Sequence, residues 1–330
     1  ASKAEVNTAA NNGETPLSTA TEKGYVDIVN ELKACGAIFS TNANNEMNDL
    51  LFEAVKDGNL EKTREYISSG ADVNSRADNG NTPLLISSSY GYKEIVKELI
   101  KNAANINIHA NNGYTPLILA AYNGHSEIMN ILLSLGAEIN AKNNNGWSSL
   151  MVASQNGNLE SVKILLAKGA SVNDVNAYGV SALMKASETG NLEIVRLLID
   201  KEADINCKSE SGNTSLILAA LNGHNETAKF LIEKGADINA INNSGYNAMK
   251  YASSSGNLDL INMLKGAKIE INELETAIVM DIIKTGTGSR LVIPGVSVSG
   301  GKSSSGTLST YDNERHLLSM EHPLERVSIV

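Results

Sequence analysis

The sequence predicts an all-α fold, a solenoid of paired antiparallel helices joined by β-hairpin or turn loops, and three observations predict it. Glycines recur on two ladders, Gly80, Gly113, Gly146, Gly179, Gly212, Gly245 and Gly58, Gly91, Gly124, Gly157, Gly190, Gly223, Gly256, with rungs 33 residues apart. A hydroxyl followed two residues later by Leu stands behind most rungs of the first ladder, as in Thr82-Pro83-Leu84 and Thr115-Pro116-Leu117. Between the ladders, apolar residues fall at spacings of three and four, the helical period. Self-similarity at a fixed period marks a repeat architecture, in which each layer buries its apolar face only against its neighbours.

One unit shows why each element forms. Thr115 is placed to cap a first helix with its hydroxyl, Pro116 suits the first helical position, and Gly124 is expected to end the helix at positive φ. Leu117, Ala120 and Ala121 supply a narrow apolar stripe. A second helix carries Ile128, Ile131, Leu132 and Leu135, and Gly136 is placed to stop it. Ser148-Ser149-Leu150, Ser181-Ala182-Leu183 and Thr214-Ser215-Leu216 keep the hydroxyl cap and the Leu. On these residues the unit resembles an ankyrin repeat, a turn and two helices with a T-P-L-H-x-A signature. The signature His is absent here, its slot holding Ser18, Leu85, Ile118, Met151, Met184, Ile217 or Lys250.

In chain order, Lys3-Ala4-Glu5-Val6-Asn7 aligns with Gly70-Ala71-Asp72-Val73-Asn74, the end of a repeat, so the chain is expected to begin inside one. A first full unit follows with Thr15-Pro16-Leu17, Gly24, Ile28-Val29, Leu32 and Gly36. Met47 then occupies a turn-glycine slot and Asp49-Leu50-Leu51 replaces Thr-Pro-Leu, with Asp49 expected to cap the next helix; a break between residues 38 and 48 is the alternative. Two later units place Ala103 and Glu202 where others have the helix-ending Gly70, Gly136, Gly169 and Gly235, so both are expected at strained positive φ. Gly266 arrives two residues early, and Asn272-Glu273-Leu274-Glu275 forms a capping box ahead of a closing helix over 272–284. The array thus covers residues 1–284. Residues 285–310, rich in Gly, Ser and Thr, read as a flexible linker. Residues 311–330 read as a tail, foreign or a tethered peptide, whose Ser328-Ile329-Val330 ending resembles a PDZ ligand read at Ser328 and Val330.

Composition narrows the function. With 4% aromatic and 42% hydrophobic residues, the chain suits thin layers of Leu, Ile and Ala. A net charge of -10, with no cluster of basic residues, argues against nucleic acid. No apolar run is long enough to span a bilayer. Cys35 and Cys207 fall five layers apart and are expected to be free thiols, which leans toward a reducing, cytoplasmic location. His125 and His224 follow helix-ending glycines, where a structural hydrogen bond is expected. No motif for catalysis, metal or cofactor binding is present, so the chain reads as a monomeric non-enzyme without cofactors.

The resemblance implies that turn tips and first helices line a concave face on which partners bind. The slots concerned flank the turn glycine and precede the helix-ending glycine. They hold the only Trp, Trp147, and Tyr90, Tyr114, Tyr122, Tyr178 and Tyr246, together with Asp78, Glu188, Glu210 and many Asn. These slots lie off the Leu and Ala stripe, so the rings are expected on one surface, where Tyr and Trp make favourable hot spots. The expected partner is a protein or peptide, with a mild preference for a basic one from Glu188, Glu210 and Asp78. The alternative is a regulatory or targeting arm of a larger enzyme, toxin or channel.

Overall fold

The computed structural model describes residues 15–23, 25–35 and 41–267. The expected closing helix at 272–284, the linker, and the tail with Ser328 and Val330 lie outside the described residues, as does the repeat end at 3–7. The described residues form sixteen helices: α1 (Pro16–Glu22), α2 (Val26–Ala34), α3 (Thr41–Lys56), α4 (Leu60–Ser68), α5 (Pro83–Tyr90), α6 (Lys93–Lys101), α7 (Pro116–Tyr122) and α8 (Ser126–Ser134). They continue with α9 (Ser149–Gln155), α10 (Leu159–Ala167), α11 (Ala182–Glu188), α12 (Leu192–Asp200), α13 (Ser215–Leu221), α14 (Asn225–Glu233), α15 (Ala248–Ser254) and α16 (Leu258–Gly266). Each odd helix packs on the even helix after it. From α3 on, odd helices stack in one layer and even helices in a second. The expected hairpins reduce, among the described residues, to turns with two isolated antiparallel bridges, Lys142 with Ser148 and Val175 with Ser181.

Local chemistry sets the helix ends. Thr82, Thr115, Ser148, Ser181 and Thr214 sit in extended backbone, and each hydroxyl accepts the N–H three residues on, at 3.2–3.4 Å. Every glycine of both ladders from Gly58 to Gly256 has positive φ. At Gly146 a Cβ would also stand 2.8 Å from the backbone nitrogen of Ala177, because adjacent turns approach that closely. Gly266 departs from the expectation: it is the last residue of α16, and Ala267 is the C-cap.

Burial differs from the expected stripes. Pro116 to Ala121 are all buried, because a first helix lies between two other first helices and above its own partner. On α8 the buried face is Ile128, Met129 and Leu132, with Ile131 half-buried and Leu135 exposed at the C-cap. The irregular unit also departs from the expectation. Asp49 lies inside α3, which runs through the place expected for the turn, so Asp49 caps nothing. Without a turn glycine at Met47, nothing stops the helix. Leu17, Ala20 and Val29, with Leu32, form a cluster of their own, whereas the large core begins at Leu51 and continues to Leu264.

Repeats are also tied by polar bonds. The Asn74 Oδ1 accepts the Asn105 N–H at 2.8 Å while its Nδ2 donates to the Ala103 carbonyl at 3.1 Å. Asn107 and Asn173 make the same pair of bonds one repeat ahead. His125 and His224 hold the structural role expected of them, each Nε2 lying 2.9 Å from a carbonyl of the preceding repeat, that of Ser89 or Glu188. Ala103 and Glu202 are the only non-glycine residues at positive φ among those described, at 66° and 63°. At the equivalent Gly136, Gly169 and Gly235 no atom stands within 4 Å of a built Cβ, so the penalty is that of the backbone alone. Ala103→Gly and Glu202→Gly should each therefore stabilise the fold by roughly 1 kcal/mol, read as a higher denaturation midpoint in urea.

Candidate functional site

The turn tips form one continuous row. Asn111 N–H donates to the Asn79 carbonyl at 3.2 Å, Asn144 to Asn112 at 3.1 Å, Ala177 to Asn145 at 2.9 Å, Glu210 to Tyr178 at 2.9 Å and Asn243 to Ser211 at 2.9 Å. Side chains reinforce the row, since the Nδ2 of Asn111, Asn144 and Asn243 donates to the carbonyl of Asp78, Asn111 and Glu210 respectively. The exposed residues along it are Asp78, Asn79, Asn111, Asn112, Asn144, Asn145, Ala177, Tyr178, Glu210, Asn243 and Ser244, a largely uncharged surface.

The aromatic residues divide by which side of the turn glycine they occupy. Tyr178 precedes its glycine and is 37% exposed. Tyr114 and Trp147 follow theirs, and at 6% and 3% exposure both belong to the core, contrary to the expectation that these slots lie off it. The physical reason is the turn itself. Asn143 N–H donates to the Trp147 carbonyl at 3.0 Å, and the Asn143 Oδ1 accepts the Trp147 N–H at 2.8 Å, so the arm returning from the glycine is held against the arm that enters. Side chains alternate in direction along such an arm, and the neighbouring repeats cover the one after the glycine. The same slot is buried at Val180 and Asn213 and half-buried only near the ends of the row, at Asn81 and Tyr246.

The remaining sequence candidates are dispersed. Tyr90 is 44% exposed and stacks on Tyr92, ring centroids 5.7 Å apart. Tyr122 is half-buried, its carbonyl accepting from Asn156 and Asn158. Tyr246 lies 5.0 Å from the Tyr251 ring, with the Lys250 ammonium 4.0 Å from its centroid. Tyr178 and Glu210 meet through the backbone bond of the row, and Trp147 and Glu188 are brought together through a residue the sequence pattern conceals. Lys185 occupies the slot held by Ile86, Leu119, Val152 and Leu218 in other repeats, and it is 2% exposed. Its Nζ is 2.6 Å from the Glu188 Oε2 and 5.3 Å from the Trp147 ring centroid. A lysine breaking a 33-residue column of aliphatic residues was the available signal.

Other titratable groups carry little chemistry. Burial, and then the Asp204 carboxylate, push the Cys207 thiol up, away from a reactive thiolate. The Arg64 guanidinium, 2.8 Å away, holds the Glu98 carboxyl below its usual range and links α4 to α6. Both described cysteines are free. Among the described residues no helix is long and apolar enough to cross a membrane.

A family model described as ankyrin repeats (3 copies) matches residues 51–143, 136–209 and 202–274, together more than half of the chain. No curated protein matches it.

Proposed function

Because the chain belongs to the ankyrin-repeat family, we propose that it is a non-enzymatic scaffold binding a protein or peptide on the face built from its turn tips and first helices. Ankyrin repeats are in general protein-protein interaction modules. The observation that carries the reading is the row of tips. Five successive backbone bonds join six turns into one preorganised edge, so a partner docking there meets groups already fixed and little ordering entropy is lost. Its exposed side chains, Asn and Ser with Tyr178, are of the kind that offers adaptable hydrogen bonds beside an aromatic anchor.

The surface charge is weaker than the composition implies. The Glu188 carboxylate is already balanced by the Lys185 ammonium, so a mild preference for basic partners rests on Asp78 and Glu210. The net charge of -10 argues against a phosphate backbone as the ligand, and the scaffold is proposed to act as a monomer.

A pull-down with the parent chain and a Tyr90→Ala/Tyr178→Ala variant tests the proposal. Both rings are exposed, so the melting temperature should stay within a degree or two of the parent value, about the effect of surface changes. A partner retained by the parent should bind the variant roughly tenfold or more weakly. Equal retention of every partner by both proteins would overturn the assignment of this face.

A further inference from the structure

We infer that the face contains a built receptor for a carboxylate of the partner, formed by Lys185, Asn176 and the Trp147 ring, with Glu188 as its removable internal occupant. The inference rests on the binding face proposed above and names one anchoring contact within it.

Donors outnumber acceptors around Lys185 and Asn176. An ammonium carries three N–H donors, and the only acceptor Lys185 Nζ meets among the described residues is Glu188 Oε2. Asn176 is 5% exposed. Its Oδ1 accepts the N–H groups of Tyr178 at 2.9 Å and Val180 at 3.0 Å, while its Nδ2 has no partner. Register shows where that Nδ2 lies. Asn242, two repeats on, makes the same kind of turn, its Oδ1 accepting from Ser244 and Tyr246. The Asn242 Nδ2 donates to Asn213 Oδ1 at 2.9 Å and to Tyr251 Oη at 3.1 Å. Subtracting the two repeats turns Asn213 and Tyr251 into Trp147 and Lys185, so the orphaned amide faces the indole and the lysine. Buried donors without acceptors are rare and unfavourable. Here two residues that are almost wholly buried supply several of them, at places that the register of the repeats brings together.

A carboxylate is the group that answers this surplus, since its two oxygens can accept from both donors at once. Glu188, three residues along the same helix, engages Lys185 through Oε2 alone and leaves the Asn176 amide unpaired. Its side chain is 18% exposed against 2% for that of Lys185, so it is the part a partner meets first. In the exchange an incoming Asp or Glu side chain takes the ammonium and the Asn176 amide against the indole face, and Glu188 turns out to water. The lysine has one carboxylate before and after, so the buried charge stays balanced, and the gain is the amide bond. The partner is therefore a segment that is neutral or basic elsewhere and carries one acidic residue.

Selection of a displayed library of random linear peptides on the full chain tests this. Enriched peptides should share one Asp or Glu at a fixed position, and replacing it by Asn or Gln should weaken binding roughly tenfold or more. Binding should shift the fluorescence of Trp147, the only Trp of the chain. Lys185→Met/Glu188→Gln should lose the same factor and no longer distinguish Glu from Gln in the peptide. Glu188→Gln alone, by weakening the internal competitor, should raise affinity for the acidic peptides, an outcome that damage to the fold would not produce. Peptides without a shared acidic position, or acidic peptides with equal affinity for the parent and both variants, would overturn the receptor. If such peptides still lose binding in Tyr90→Ala/Tyr178→Ala, the face stands and only the receptor fails. Binders indifferent to every variant, or a library yielding none, would overturn both.

Discussion

Trp147→Ala is expected to lower the stability of the repeat stack by about 3–5 kcal/mol, the range for truncating a buried aromatic side chain. The indole is 3% exposed and part of the same core as Leu117, Leu150 and Leu183, so its removal leaves a cavity between layers rather than a bare patch on the surface. It also strips the aromatic face from beside the Lys185 ammonium. Urea denaturation followed by circular dichroism measures the loss directly. A change below about 1 kcal/mol, typical of a surface site, would mean that the ring is solvent-facing in solution. Tyr114→Ala should follow the same pattern, because Tyr114 occupies the same slot one repeat earlier.

Glu188→Ala should destabilise the stack by roughly 3 kcal/mol, because it leaves the Lys185 ammonium buried with no carboxylate. The sign then reverses in a way that identifies the cause. Lys185→Met/Glu188→Gln removes the buried charge and fills its place with apolar volume, and such replacements are neutral or stabilising. A double variant close to parent stability beside a weakened Glu188→Ala is the expected result. If the single variant is as stable as the parent, the ammonium reaches water and is no buried donor for the receptor.

Both predictions concern residues that the sequence marked for partner contact, and both now carry stability as well. The reason is visible in the repeat register. Exposed and buried side chains stand on either side of the turn glycine, Tyr178 before and Val180 after Gly179, with Trp147 in the buried slot after Gly146. Periodicity places all of these residues at the turn but does not say which arm the neighbouring repeats cover. Likewise Asp49 looked like a cap because an Asp precedes an apolar run, yet the residues before it continue the helix without a glycine to stop them.

The sequence by itself determined the hydroxyl caps of the first helices from Thr82 to Thr214, the glycine ladders at positive φ and the two strained exceptions, Ala103 and Glu202. Each of these depends on the residue and its immediate neighbours: a hydroxyl three residues from an N–H, a ring fixing φ, a missing Cβ. Only the tertiary structure decided which aromatic rings meet solvent, that α1 and α2 keep a core separate from the one beginning at Leu51, that the Lys185 ammonium is buried against Trp147, and that the Asn176 amide is buried without a partner. Those outcomes depend on what the adjacent repeat lays over a side chain, and that neighbour lies 33 residues away along the chain.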